Sequence, residues 1–553
     1  MSEPESVNDK RVRHFRQILV WPLQLMPIRQ NVQIQRYWEL LEMSKDSHPW
    51  REVADEFTEN VADFKERHYN EFITFLPYVQ RFLYGESRNT AQAGERSTSP
   101  MRVYRRQDVS AVRITARPGD EPLSLSVAHI DLYFFYDIDV VLLNVEVHAD
   151  NLPLPQVQNL LYSFGRAYPA SWEENGQGQH CAHRVEWIGT SGEVLAVSDF
   201  EKREKYLSFA CRNRAANIAA HWAFLIKPLV LDHSDDEGLI RYRQIEYYRM
   251  PVMGYLAMEN PRALSRADFI RLGLVTGSGT DETLPYAERH VADFEHRYCY
   301  DRYWSEGSAC SGPSTRFLCC GHALVVVGDA HSTLFTGKEN GVLSQFRHQH
   351  FLLFMIAHMQ RSSLLMFSDL LVEALDHLDI QDPESVKRFK RAIRQNFETF
   401  LRFTHRYWFH ELSDQAQVKA LYRLCTTHLE TDVLFEEVKK EIYDMNQYLD
   451  SDSLRRQANT VVRLTVVTSF GLIGTVVTGF LGMNLIAAAE NPLSSKLVYF
   501  GVVMVATIWL TFYTIVKSKR LSDFLEAISD ERLPAKAKLG ALLSVWRKRH
   551  DFE

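Results

Sequence analysis

The sequence lacks the excess of basic residues that proteins binding nucleic acid usually carry. Its 553 residues include 63 Lys and Arg against 70 Asp and Glu, which gives a net charge of −7 at pH 7. This balance provides no basic footprint for a polynucleotide. We therefore expect no nucleic-acid partner.

Cysteine is scarce as well: the chain has seven, an odd number, and they are widely spaced. The groupings His-Cys-Ala-His at 180–183 and Cys-Cys-Gly-His at 319–322 lack the paired Cys-x-x-Cys spacing of a zinc site. We interpret their cysteines as core residues rather than zinc ligands. The cysteines belong to the part of the chain that the charge pattern below places inside the cell, so reduced thiols are expected.

Motifs of catalysis and export are also missing. No Gly-rich loop is followed by Lys-Ser or Lys-Thr, so no ATP site of that kind is expected. His296 and Cys299 give no nucleophile signature, and the sequence indicates no enzyme. The first apolar stretch, ILVWPLQLM, is short and contains Pro22, so no cleaved signal peptide is expected.

Two long runs without charge stand near the C-terminal end, at Leu464–Asn484 and Leu497–Val516. At about 1.5 Å per residue, about 20 residues in a helix cross a hydrocarbon core of about 30 Å. Only about a dozen residues connect the two runs, so we predict a transmembrane hairpin whose ends lie on the same side.

The charges around the hairpin predict its orientation. The connection holds only Glu490 and Lys496, whereas basic residues mark both outer ends: Arg455, Arg456, Arg463, Lys517, Lys519 and Arg520. Because Lys and Arg favour the cytoplasmic side, both termini are predicted to be cytoplasmic. We expect a multi-pass protein of a bacterial-type inner membrane.

The first run ends on Gly482-Met483-Asn484, which resembles the signature at the end of the first transmembrane helix in the CorA family of magnesium transporters. Leu464-Thr465, Thr475 and Gly479 also fall where that family has matching residues, and a loop acid is common at the position of Glu490. Leu481 replaces a frequent tyrosine, and Ile473 beside Gly474 replaces a frequent proline. The resemblance covers Arg455 to Arg520.

The resemblance implies a homopentameric channel for Mg²⁺, with Co²⁺ and Ni²⁺ as further candidates. It also implies that Mg²⁺ regulates the channel at acidic residues between cytoplasmic domains. The membrane potential would drive the ion, since a divalent cation gains about 4.6 kcal/mol across 100 mV. No acid falls in a recognisable motif, and the candidates are Asp235, Asp236, Asp444, Asp450 and Asp452.

A pore can also be derived from the residue types. One hairpin encloses no channel, so several copies must surround an axis. Thr468, Gly471, Thr475 and Gly479 share one helix face, although close helix packing in lipid uses the same pattern. Leu464 and Leu472 on the same helix are predicted to form apolar constrictions that close the pore by dewetting. Val461 would form a further constriction nearer the cytoplasm.

The pore entrance is predicted at Gly482, Met483 and Asn484. Mg²⁺ dehydrates reluctantly, and a ring of Asn484 oxygens would accept hydrogen bonds from its waters, with Met483 mainly packing. Glu490 would concentrate cations. For Asn484 alone, a simple helix-terminating role stays open.

Two other functions stay open from the sequence. A zinc transporter of the same superfamily is one, against which Met483 argues mildly. A membrane-anchored sensor or scaffold without transport is the other, because the interior part is long and the usual proline is missing.

We predict an α/β cytoplasmic domain followed by a long stalk helix and the hairpin. The predicted parts are 1–100 (helical segment and loop), 101–336 (α/β domain), 337–463 (helical region and stalk), 464–516 (hairpin) and 517–553 (basic tail, on lipid or on the stalk). Residues 14–28 are expected to be extended, and 341–378 a buried helix rather than a third span. From about Gln415 we expect helix to run into the first span.

Overall fold

The structure is a computed structural model. It describes residues 10–28, 36–53, 64–85, 100–246, 248–305, 314–379, 382–482, 492–506, 508–509 and 513. The chain divides into two compact units, residues 1–442 and 443–553.

The first unit contains a mixed sheet of fourteen strands, counted over the described residues. The strands are β1 (Arg11–Leu25), β2 (Trp50–Glu52), β3 (Met101–Arg106), β4 (Val109–Thr115), β5 (Leu123–Phe135), β6 (Ile138–Pro153), β7 (Arg184–Gly189), β8 (Val194–Val197), β9 (Leu229–Leu231), β10 (Ile240–Gln244), β11 (Val252–Met258), β12 (Cys299–Tyr300), β13 (Arg316–Cys319) and β14 (Ala323–Asp329). The main path is β12-β13-β14-β11-β1-β6-β5-β4-β7-β8. β9–β10 and β11–β14 are the parallel pairs among the described strands, and the other pairs are antiparallel.

β1 lies in the middle of this sheet. It pairs with β6 from Arg11 to Gln24 on one side. On the other side it pairs with β11 up to Leu19 and with β10 from Leu23. Pro22 therefore falls in the gap between two ladders, where its missing N–H removes no ladder bond on that side.

The helices of the described chain precede, connect and follow the strands. They are α1 (Tyr37–Met43), α2 (Glu66–Thr74), α3 (Pro77–Tyr84), α4 (Leu154–Ser163), α5 (Arg203–Asn213), α6 (Ala220–Ile226), α7 (Arg266–Leu274), α8 (Glu288–Val291), α9 (Phe294–Tyr298), α10 (Thr333–Thr336), α11 (Val342–Arg347), α12 (Gln349–Asp376), α13 (Pro383–Arg406), α14 (Ala416–Leu429), α15 (Thr431–Gly482) and α16 (Leu493–Ala506).

Two helices cover the centre of the sheet. Both α4 and α12 pack on β1 and β6. The large core cluster contains α4 together with Phe15 and Leu19 of β1, whereas Ile18 and the α12 side chains are outside it. Since alternate strand residues point to opposite faces, α4 and α12 lie on opposite faces.

The predicted buried helix is confirmed. Among the described residues, the segment 342–376 is long and apolar enough to span a membrane. However, 83% of the residues in its most apolar stretch are buried within the chain. Gln360 is 1% exposed and donates to the carbonyl of Tyr407 at 2.9 Å. The segment breaks at His348, so it forms α11 and α12 rather than one helix.

Other sequence expectations match in part. Residues 14–28 are extended, but as a central strand, and β2 forms within a segment predicted to be helical. Asp382 caps α13 by accepting from the amides of Glu384 and Ser385. The helical path from Gln415 is broken at Glu430, which has a left-handed φ of 53°, and is then continuous from Thr431 to Gly482.

Candidate functional site

The predicted pore residues with described placement lie on one face of α15. They are Val461, Leu464, Thr468, Gly471, Leu472, Thr475, Gly479 and Gly482. At about 100° per residue, these positions fall within an arc of about 100°. The apolar members are well exposed within the chain: Val461 62%, Leu464 63% and Leu472 66%. We call this set the α15 face.

The glycines of the helix meet open space. A Cβ placed on Gly471, Gly479 or Gly482 would have no atom within 4 Å outside the local backbone. Packing within the described chain therefore does not require glycine at these positions. A glycine inside a helix costs about 1 kcal/mol relative to alanine, and no contact within the described chain offsets this cost.

The hydroxyls of Thr468 and Thr475 each donate a hydrogen bond to the backbone carbonyl four residues earlier in the helix. Thr468 Oγ1 donates to the carbonyl of Leu464 at 2.9 Å, and Thr475 Oγ1 donates to the carbonyl of Gly471 at 2.7 Å. With the hydrogen committed to a backbone carbonyl, each hydroxyl oxygen keeps lone pairs that can accept a hydrogen bond. The α15 face is thus lined by acceptors at these two levels.

The remaining entrance residues, Met483, Asn484 and Glu490, lie outside the described residues. The described part of α15 ends at Gly482, the first residue of the signature. The structure therefore places the helix that leads to the predicted entrance.

The second predicted span begins with α16. Among its residues Leu497, Val498, Phe500 and Val502 are each more than 60% exposed within the chain. Trp509 is 66% exposed and its ring stacks on Tyr513 with centroids 5.6 Å apart. Such a run of exposed apolar side chains is unusual for a surface facing water and marks a contact with lipid or protein.

Within the described residues of one chain, the acidic candidates for regulation are not brought together. Asp235 is fully exposed and lies 3.9 Å from Arg212, and Asp236, Asp444 and Asp450 are exposed as well. The side chain of Asp452 is outside the described residues. No group of three His, Cys, Asp or Glu side chains suited to a metal occurs in the described part of the chain.

In the two His and Cys groupings, Cys181 and Cys319 are buried and Cys320 and His322 are half-buried, whereas His180 and His183 are exposed. His180 Nδ1 lies 2.8 Å from the hydroxyl of Tyr248, and burial raises the pKa of Cys181 to about 12. Burial likewise raises the pKa of Cys320 to about 11 and lowers the pKa of His322 to about 4. Neutral thiols at Cys181 and Cys320 and a neutral imidazole at His322 agree with core roles for these three residues.

Sequence reasoning missed a group of buried charges on the sheet. This sheet ion cluster consists of Arg16, Arg105, His129, Asp131, Glu146 and Arg347. His129 lies 2.7 Å from Glu146 through Nε2 and 2.9 Å from Asp131 through Nδ1. Arg105 binds Asp131 through two hydrogen bonds, at 2.7 and 3.0 Å. The available signal was the presence of charged residues inside two otherwise apolar strands, β5 and β6.

Comparison with protein families, curated proteins and solved structures finds no match to this chain. Its function must therefore be argued from its own residues.

Proposed function

We propose that copies of this chain assemble around an axis and conduct divalent cations across a membrane, with Mg²⁺ as the main ion and Co²⁺ and Ni²⁺ as further ones. The α15 face would line the path, and Gly482-Met483-Asn484 with Glu490 would form its entrance. The observation that carries the proposal is this exposed face of small, hydroxylated and apolar residues leading to that signature.

The glycines support assembly of several copies. A Cβ on Gly471, Gly479 or Gly482 would meet no described atom outside the local backbone, and the lack of a side chain weakens an isolated helix. In a ring of α15 helices the same positions let neighbouring backbones approach closely. A pentamer is the arrangement that the resemblance to the CorA family suggests.

The threonines support passage of a hydrated ion. A cation that keeps its waters presents hydrogen-bond donors outward, so its path needs acceptors rather than charges. Thr468 and Thr475 supply hydroxyl oxygens whose hydrogens are already bonded to the helix. Leu464 and Leu472 alternate with them as apolar levels at which the path can close by dewetting.

The exposed apolar side chains support a membrane location for the hairpin. Apolar residues of α16 and the upper part of α15 face outward within the chain. Helix is also the conformation that satisfies every backbone group in lipid, which suits a segment rich in β-branched residues and glycine. Both termini would then lie in the cytoplasm, as the flanking basic residues predict.

The test is ion flux into liposomes that contain the purified full chain, measured separately for Mg²⁺ and Zn²⁺. The proposal expects Mg²⁺ flux that falls strongly in Asn484→Ala. Flux of Zn²⁺ in preference to Mg²⁺ would favour the zinc-transporter alternative. If neither ion crosses, the hairpin is an anchor and the transport proposal is wrong.

A further inference from the structure

A polar cavity of about 240 Å³ opens on the first unit, far in sequence from the α15 face. Its walls come from α2, the turn before α11, the α11–α12 junction and the residue preceding α14. This volume holds several water molecules or one small metabolite, and is just below the size of pockets that take drug-sized ligands.

Hydrogen bonds between these elements shape the cavity in advance. Glu71 of α2 is 8% exposed, lies 3.0 Å from His348 Nδ1 and accepts from the hydroxyl of Tyr84 at 2.7 Å. Asn70 donates to the side chain of Asn340 at 3.0 Å. The walls are therefore fixed by contacts that leave other lining groups unused.

Four lining side chains have unused hydrogen-bonding or charged groups. The Nε of Arg67 is buried without a described partner; Nη2 of the same guanidinium lies 3.0 Å from His68 Nε2, and no described carboxylate pairs with it. Ser344 is 6% exposed, and within the described chain its hydroxyl makes no hydrogen bond. The side chain of Gln345 and the carboxylate of Glu339 also contact no described hydrogen-bonding partner, although all four residues line the cavity.

The mixture of these groups limits the ligand. Glu339 would repel an anionic ligand, and Arg67 would repel a cationic one. The twelve lining residues include no Phe, Tyr or Trp, the side chains on which nucleobases stack. The described residues around the cavity also lack a metal-binding group.

We propose that this cavity binds a small zwitterion, namely a free α-amino acid with a polar side chain. Arg67 binds the carboxylate, Glu339 binds the ammonium group, and Gln345 with Ser344 hydrogen-bonds the side chain. This site is independent of the proposed transport function. Because His348 joins α11 to α12, an occupied site also contacts the junction between these two helices.

The test is isothermal titration calorimetry of the detergent-solubilised full chain with L-glutamine and L-serine. Two derivatives test the zwitterion: L-glutaminamide lacks the carboxylate, and N-acetyl-L-glutamine lacks the charged amine. We expect at least one amino acid to bind, and each derivative of glutamine to bind at least about tenfold more weakly if glutamine is the ligand.

Matched variants locate the site. Arg67→Gln and Glu339→Gln are each expected to weaken binding at least about tenfold, while Arg81→Gln on the exposed side of α3 leaves it unchanged. Ser344→Leu, which fills the cavity, should abolish binding, and the melting temperature of each variant checks its folding. The inference is overturned if neither amino acid binds up to about 10 mM, or if Arg67→Gln binds as well as Arg81→Gln. Neither readout requires ion flux, so this result and the transport result can fail separately.

Discussion

Arg347 of α11 holds Glu146 of β6 with two hydrogen bonds, from Nε to Oε1 at 2.7 Å and from Nη2 to Oε2 at 3.2 Å. Glu146 is 1% exposed and also contacts Arg16 and His129. Burial alone would raise the pKa of Glu146, but the hydrogen bond and charge of His129, with Arg347, hold the pKa well below its usual value. The carboxylate is thus charged and ties α11 to the sheet.

Glu146→Gln is expected to destabilise the first unit by about 3 kcal/mol. The substitution leaves Arg16, His129 and Arg347 facing a neutral amide, and uncompensated charge in a buried place is costly. Chemical unfolding followed by tryptophan fluorescence measures the change in free energy of unfolding.

An exposed ion pair provides the control for that measurement. Lys439 and Glu436 lie 3.0 Å apart on the surface of α15 with both side chains more than half exposed. Lys439→Met should change stability little, because exposed pairs are weak. Equal effects of the two substitutions would contradict a structural role for the sheet ion cluster.

His129 gives the cluster a pH dependence. Burial alone would lower the pKa of His129, but its contacts with Asp131 and Glu146 outweigh burial and raise the pKa to about 9. The stabilisation is therefore complete below the pKa of an unfolded histidine, about 6.5, and is lost as pH rises through about 9. Unfolding free energies measured from pH 6 to pH 10 should fall more steeply in the wild type than in His129→Gln. Parallel curves would show that His129 does not carry this dependence.

Some of the fold could be predicted from local pattern. The apolar run of α12 is short and followed by Gln360 and Arg361, and this indicated a buried helix rather than a span. In the structure both polar side chains find backbone acceptors, at Tyr407 and Leu429. The start of α13 also carries a local signal, because Asp382 is an N-cap acid directly before Pro383.

Other features depend on contacts between distant residues and could not be predicted. Residues 14–28 are expected to be extended, but only the positions of β10 and β11 show how a central strand accommodates Pro22. The cavity combines residues from Arg67 to Gln415, and no sequence spacing links them. The shared face of the predicted pore positions on α15, in contrast, follows from helical periodicity alone.

Thr475→Val tests the hydroxyls of the α15 face. Valine keeps the shape of the side chain and removes the oxygen, so each copy in a ring loses one acceptor for the hydrated ion. We expect Mg²⁺ flux to fall at least about fivefold. Val477→Thr, a reverse change at a position about 180° from the centre of the face, should leave flux near wild type. Equal flux in both variants would contradict a lining role for Thr475.

Gly479→Leu tests assembly. A Cβ at this position meets no described atom within 4 Å, but a leucine side chain would prevent close approach of neighbouring helices. Native mass spectrometry of the detergent-solubilised wild type should give a mass of several copies of 64.2 kDa, with five as the expected number. Gly479→Leu should shift the mass toward the monomer, while Val477→Leu should not. A monomeric wild type would contradict the proposed pore, because a single hairpin encloses no channel.

The most direct test of the central claim is Mg²⁺ uptake by liposomes that contain the full chain, measured with and without an imposed negative-inside potential. A potential of 100 mV favours entry of a divalent cation by about 4.6 kcal/mol. We predict uptake that rises with the potential and exceeds that of protein-free liposomes. Uptake equal to protein-free liposomes at every potential would contradict the account.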